Sequence, residues 1–269
     1  MKKIITSEPD TLVEYLKKIW QYRFLILTFA YQEIKVQYAQ TYFGLLWAVI
    51  RPLVILVIFT VIFNFLLKLE TPVPYYLFVF SGIIVWNLFN QIVNSASSAV
   101  LEKIQLIKKM YFPKMVLIFS KVILALVDFS ISLIIFLLLV IYEDVSLNAY
   151  ILLIPIIVLA TILMALSIVF WMNSLNIKYR DLNQIMAPII GIAIWFTPVF
   201  FPSTIIPEKY HYLIFFNPVA GIIEAFRFCV FGISNFSTYY YYSITAFLCV
   251  AIAGAIYFIK VEDEFVDYG

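Results

Sequence analysis

115-MVLIFSKVILALVDFSISLIIFLLLVI-141 is apolar nearly from end to end, with Lys121 and Asp128 as its only charged residues. About 20 mostly apolar residues in a helix cross the hydrocarbon core of a bilayer. A helix that is apolar on every face is buried in a large core or spans a membrane. Five more stretches share this character. Trp47–Leu67 is broken only by Arg51, Pro52 and Asn64. Leu77–Ser95 has more polar content, and Tyr150–Met172 is almost wholly apolar. Ile185–Phe201 is short and punctuated by Pro188, Gly191 and Pro198, and Ser243–Ile259 is the last. The predicted fold is therefore an all-α integral membrane protein with six transmembrane helices.

The bulk numbers agree. Of 269 residues, 64% are hydrophobic and 13% charged, and the mean hydropathy is +1.01. Soluble domains carry about 25% charged residues, so a water-soluble globule is excluded. Three regions follow: an N-terminal cytoplasmic and interfacial part over 1–46, the six-helix domain over 47–260, and a cytoplasmic tail over 261–269. Tyr212–Phe231 is apolar but is cut by Asn217-Pro218 and holds Glu224 and Arg227. It reads as re-entrant half-helices in the outer leaflet, between spans five and six. Irregular backbone at that depth must be shielded by protein or line a cavity.

Lys and Arg in short loops mark the cytoplasmic side. With both termini inside, only Lys68, Lys209 and Arg227 of the 18 basic residues fall outside. The loop Tyr142–Ala149 has Glu143 and Asp144 and no basic residue. The expected location is the inner (plasma) membrane, multi-pass. Leu12, Leu16, Ile19 and Trp20 recur at helical spacing, set off from Glu14, Lys17 and Lys18. They predict an amphipathic helix in the cytoplasmic interface. It serves either as a lipid anchor or as the frame of a docking site. The next apolar run, Phe24 to Ala30, is too short for a signal peptide and is followed by Glu33 and Lys35.

Enzymatic chemistry has little to work with. No glycine sits in a P-loop, and there is no H-E-x-x-H, G-x-S-x-G or paired-cysteine pattern. Cys229 and Cys249 lie in apolar surroundings as small packing residues, and His211 is the one histidine. No metal site is expected. Glu262, Asp263 and Glu264 read as a solvated terminus. An uphill transporter built this way takes its energy from a gradient or a partner.

The polar residues inside the spans are the candidate sites. Asn87, Asn90, Gln91 and Asn94 recur at spacings of three and four, which puts them on one helix face. They serve as helix–helix glue or as a pore strip that hydrogen-bonds a hydroxyl-rich solute. Lys121 and Asp128 are seven apart, two turns on one face. Lys121 can snorkel to the inner surface. Asp128 is deeper and needs a donor, with Arg51 as the candidate and a structural ion pair or hydrogen-bond node as the expected role. Glu224 and Arg227 are spaced to pair with each other or with a neighbour. Tyr239, Tyr240, Tyr241 and Tyr242 form an interfacial aromatic belt or a surface for stacking sugar rings.

Tyr38-Ala39-Gln40-Thr41, Gly44-Leu45-Leu46-Trp47-Ala48 and Arg51-Pro52-Leu53 resemble the start of permeases that export polysaccharides in ABC transporters of the ABC-2 type. O-antigen (lipopolysaccharide), teichoic-acid and capsule exporters belong there. Phe112-Pro113-Lys114, Tyr179-Arg180-Asp181-Leu182, Thr197-Pro198-Val199 with Pro202, and Asn217-Pro218 with Arg227 follow in order. The resemblance runs from about Tyr22 to the sixth span. Arg51 departs from it, because many relatives carry an uncharged residue before that proline. The resemblance implies a homodimer that binds two copies of a separate cytoplasmic ABC ATPase and surrounds a channel for a lipid-linked glycan. ATP and magnesium would be used by that partner, with no cofactor on this chain and no nucleic acid. It also implies a coupling helix at Leu101–Met115, with Glu102, Lys103, Lys108, Lys109, Tyr111, Phe112 and Pro113 facing the ATPase. Arg180 and Asp181 form a second contact, and the residues after Pro198 an outer gate with Asn217, Pro218, Glu224 and Arg227. The basic, amphipathic character of the loop (Leu101, Ile104, Leu106, Ile107) supports a contact surface independently. Three rival functions stand beside this one: export of a lipid or drug, a membrane enzyme acting on lipid-linked sugars, and a gradient-driven carrier.

Overall fold

The computed structural model describes residues 12–39, 44, 46–62, 71–176, 179, 181–214, 217–233 and 238–262. For some helical residues, Leu12, Leu16 and Arg51 among them, only the backbone is described. The described residues contain helices and turns and no β-strand.

Two helices come before the first predicted span: α1 (Leu12–Gln21) and α2 (Arg23–Ala39). The sequence signalled only the first. In α1, Tyr15 and Ile19 are buried, while Trp20 faces outward at 71% exposure. Trp20 is therefore not part of the packed stripe, because one residue along a helix turns the side chain by about 100°. The chain then forms α3 (Leu46–Phe59), α4 (Tyr75–Ala96), two single-turn helices α5 (Ala99–Glu102) and α6 (Ile104–Ile107), and α7 (Met115–Tyr142). A 3-10 turn at Ala149–Leu153 leads into α8 (Ile154–Asn176). After it come α9 (Leu182–Ala193), α10 (His211–Ile214), α11 (Pro218–Phe231) and α12 (Thr238–Val261).

Four helices, α4, α7, α8 with its leading turn, and α12, are long and apolar enough to cross a membrane. These are the predicted second, third, fourth and sixth spans. The first and fifth are shorter helices among the described residues, Pro52–Ile62 and Leu182–Phe196. The fifth stops at Phe196 rather than Phe201. Thr197 precedes Pro198 and is extended (φ −102°, ψ 138°), as the residue before a proline tends to be.

α4 is the axle of the bundle. It is buried along nearly its whole length and packs against α3, α7, α8 and α11. This explains why the most polar span is tolerated: protein, not lipid, surrounds it. α7, α8 and α12 keep apolar outer faces, such as Ile134, Leu138 and Ile141 on α7. α8 and α12 lie side by side, with Trp171 stacked on Tyr257 at 5.2 Å and donating to the Val250 carbonyl at 3.2 Å. The last carbonyls of a helix need outside donors. At the end of α4 two amides from α8 supply them. Asn173 Nδ2 donates to Ala96 O at 2.7 Å, and Asn176 Nδ2 donates to Ser97 O at 2.9 Å.

The predicted break at Asn217-Pro218 holds. Asn217 caps α11, its side chain accepting from the Ala220 N–H at 3.3 Å, and Pro218 opens the first turn. The two flanks differ from the expected pair of half-helices. The first is the four-residue turn α10, and the second, α11, is enclosed by α4, α8 and α12.

Candidate functional site

Three constellations of polar side chains sit at different levels of the bundle. The central one is a cavity of about 500 Å³ between α2, α3, α4 and α7. Asn87, Asn90, Gln91 and Asn94 form its α4 wall, as their spacing predicts, and Asp128 and Ser132 face them from α7. A carboxylate in an apolar wall must be hydrogen-bonded. Asp128 accepts from Gln91 Nε2 at 2.6 Å, from Gln37 Nε2 at 3.2 Å, and from the Tyr38 hydroxyl. The node predicted for Asp128 is present, but its described donors are a phenol and two amides; the Arg51 side chain lies outside the described residues. Asn94 Nδ2 donates to Asn90 Oδ1 at 2.7 Å. Trp47 and Pro52 of α3 complete the apolar side.

The second constellation lies where α2 and α7 meet the 97–114 loop. Lys121 does not snorkel. Its Nζ lies 2.9 Å from Glu33 and 3.1 Å from Glu102, and Lys103 reaches Glu33 at 3.3 Å. Burial would raise the Glu33 carboxyl, but Lys121 and Lys103 outweigh it and hold the group below the usual carboxylate range. The loop is not one helix over Leu101–Met115. α5 and α6 are single turns, followed by an exposed tip at Lys108, Lys109, Met110 and Tyr111. Phe112 and Pro113 then turn back into the protein, with the Phe112 ring 5.9 Å from that of Phe29. So of the predicted coupling residues, Lys108, Lys109 and Tyr111 face outward and Phe112 and Pro113 are buried. Glu102 and Lys103 are held by ion pairs. Asp181 is exposed at the start of α9, and Arg180 lies outside the described residues.

The tail also differs from expectation. Glu262 is buried rather than solvated. It accepts the Lys114 backbone N–H at 2.7 Å, pairs with Lys114 Nζ at 3.5 Å and lies against Tyr15. Burial pushes its carboxyl above the usual carboxylate range, and Lys114 offsets only part of that. Asp263 and Glu264 lie outside the described residues.

The third constellation surrounds Arg227, which is completely buried. Its guanidinium donates to Pro198 O at 2.7 Å, to Val199 O at 2.9 Å and to Phe78 O at 3.3 Å, and it lies 3.6 Å above the Phe78 ring. Glu224 is its ion-pair partner at 3.5 Å. Arg227 thereby joins the turn after α9 to α4. Gly82 makes room: a Cβ there would sit 3.0 Å from Arg227 Nη2 and 3.1 Å from the Val199 backbone. Asn217 Nδ2 donates to Thr197 Oγ1 at 2.7 Å, so the predicted gate residues Pro198, Asn217, Pro218, Glu224 and Arg227 form one connected region. Tyr239 and Tyr240 are elsewhere, outside the cavity lining. Tyr240 of α12 is buried against α11, where a Cβ on Gly221 would come within 2.8 Å of its ring. Tyr239, Tyr241 and Tyr242 are exposed. Glu33, Gln37 and Tyr38 were missed as site residues by sequence reasoning; their only signal was a polar interruption at helical spacing after Phe29.

The described residues thus form a bundle of long apolar helices around a polar cavity. The pattern of the ABC-2 type transporter family matches residues 25–231, and the chain belongs to that family. Among curated proteins, it is 27% identical over 245 residues to an O-antigen export system permease protein RfbA of Klebsiella pneumoniae, covering 90% of this chain and 94% of the relative. A protein of the same name from Myxococcus xanthus is 26% identical over 219 residues, 80% of this chain and 84% of the relative.

Proposed function

We propose that the chain is the membrane-spanning subunit of an ATP-driven exporter that moves a lipid-linked polysaccharide of the O-antigen kind across the inner membrane. The observation that carries this reading is the family match from residue 25 to 231, together with relatives named as O-antigen export permeases that align along nearly their full length. The chain does not hydrolyse ATP; a separate ATPase does. Two permeases and two ATPase subunits form the complex, because six helices enclose little room for a sugar chain and two-fold pairing is the commonest oligomer. α3 and α9 complete a six-span topology with both termini cytoplasmic, and the turn after α9 with α11 forms the re-entrant outer element.

The amide wall of Asn87, Asn90 and Asn94 suits hydroxyl-rich cargo, since each amide both donates and accepts. The exposed tip Lys108–Tyr111, with Asp181, is the surface for the ATPase. ATP closes the partner subunits, and a binding change of that kind shifts the permease between two states. Mild-detergent purification of the tagged protein with mass spectrometry tests the reading. A stoichiometric ATPase, lost when Lys108, Lys109 and Tyr111 are replaced together, is the expected result. A homo-oligomer without ATPase would move the function to an enzyme or a gradient-driven carrier.

A further inference from the structure

Along α2, contacts with the rest of the protein rise in step with α7: Phe29 meets Phe112, Glu33 meets Lys121, and Gln37 and Tyr38 meet Asp128. The two helices therefore run in the same direction. Glu33 and Gln37 are one turn apart on one helix face, and Phe29 is one turn before them. One end of that face touches the residues that root the exposed loop, Phe112 and, through Glu33, Lys103. The other end holds the carboxylate of the polar cavity. The distance along the axis from Glu33 to Tyr38 is roughly 7.5 Å. Glu33 and Tyr38 lie within one continuous helix, so only intrahelical backbone hydrogen bonds separate them.

Each clamp holds α2 through more than one contact. Glu33 binds two lysines on different elements, Lys103 on the loop and Lys121 on α7. The Gln37 amide donates at once to the Tyr38 hydroxyl oxygen at 3.0 Å and to Asp128, so the cavity end is a closed triangle. A displacement of the loop therefore acts on Glu33 and reaches Asp128 without passing through a flexible segment.

We propose that α2 is the strut by which movement of the 97–114 loop reaches the polar cavity, with Glu33 as the positioning residue at its loop end and Tyr38 at its cavity end. The proposal rests on the exporter reading above.

The test uses the full permease–ATPase complex in liposomes, with Cys229→Ala, Cys249→Ala and a reporter, Asn94→Cys, in the cavity wall. A small maleimide reports the reactivity of that thiol with and without ATP. In the otherwise unaltered chain, ATP changes the labelling rate by about fivefold or more, the lower end of ordinary coupling between sites. Glu33→Gln and, separately, Tyr38→Phe abolish that change while the ATPase stays bound and hydrolyses ATP. Tyr38→Phe removes a single hydroxyl, so it stands if Glu33→Gln fails to fold. A reporter that ignores ATP in the unaltered chain, or one that still responds fully in Tyr38→Phe, overturns the strut. Loss of bound ATPase in a folded Glu33→Gln also overturns it, by making Glu33 part of the docking surface. Absence of any ATPase from the unaltered complex takes down the exporter reading itself, which keeps the two failures apart.

Discussion

Two sites in this protein take charge out of water, and they do so in opposite ways. At Arg227 a single guanidinium is fully enclosed, bound mainly by backbone carbonyls of Phe78, Pro198 and Val199. Carbonyls cannot swing away without moving the chain, and a Cβ on Gly82 would sit only 3.0 Å from Arg227 Nη2 and 3.1 Å from the Val199 backbone. Around Lys121 the charges sit on long side chains, and Glu33 and Glu102 share the same ammonium. Lys103 and Glu102 are 35% and 45% exposed, so water reaches that cluster. The first arrangement is dry and fixed by backbone, and the second is shared among side chains that water reaches. The Arg227 staple fixes the turn after α9, whereas the Lys121 cluster leaves its side chains room to change partners.

The sharpest way to break this comparison is Arg227→Ala. It strands Glu224 in the protein, and removing one member of a buried pair costs about 3–5 kcal/mol. Little folded protein should be recovered, as read by detergent size-exclusion profiles. Arg227→Lys should fail nearly as badly, because one ammonium cannot match a planar fork set to several carbonyls. Next is Gly82→Ala, whose Cβ would crowd Val199 and the guanidinium. Overpacking of this sort costs about 1–3 kcal/mol. A lowered thermal midpoint with normal ATPase binding is expected.

Much of this was legible in the sequence, and the gaps have a common cause. Spans and the Glu224–Arg227 pair are local signals: hydropathy within a window, or a spacing of three. The amide stripe of α4 was legible for the same reason. Glu33 and Glu262 were not, since their partners Lys121 and Lys114 lie 88 and 148 residues away. α2 is apolar on two faces, with Ile26, Phe29 and Ala30 buried and Phe24, Leu27 and Tyr31 exposed, so it carries no one-sided pattern to announce a helix. The Asp128 node was legible, but its described donors, Gln37, Tyr38 and Gln91, come from two other helices and had no signal beside it in the sequence. Tyr240 looked like one of four equivalent tyrosines until α11 presented Gly221 to it.

A smaller effect is expected at the tail. Glu262→Gln keeps an acceptor for the Lys114 N–H but loses the charge, and the difference between charged and neutral hydrogen bonds is about 1 kcal/mol. The thermal midpoint should fall slightly. Deleting residues 262–269 should reproduce that fall if Glu262 is the contact that matters in the tail.

The smallest change in stability, and the most informative, belongs to Lys103→Gln. An ion pair with a third of its side chain in water contributes about 0–1 kcal/mol, and Lys121 still holds Glu33 when Lys103 is gone. Melting should therefore be unaltered within error. Transport should not be. If the cluster works by exchanging partners, removing one partner biases the exchange without loosening the fold, and surface glycan should drop at constant protein level. At Arg227 no such separation is expected, and its variants should lose stability and transport together. Equal losses of stability and transport in Lys103→Gln would make the inner cluster another staple and erase the contrast.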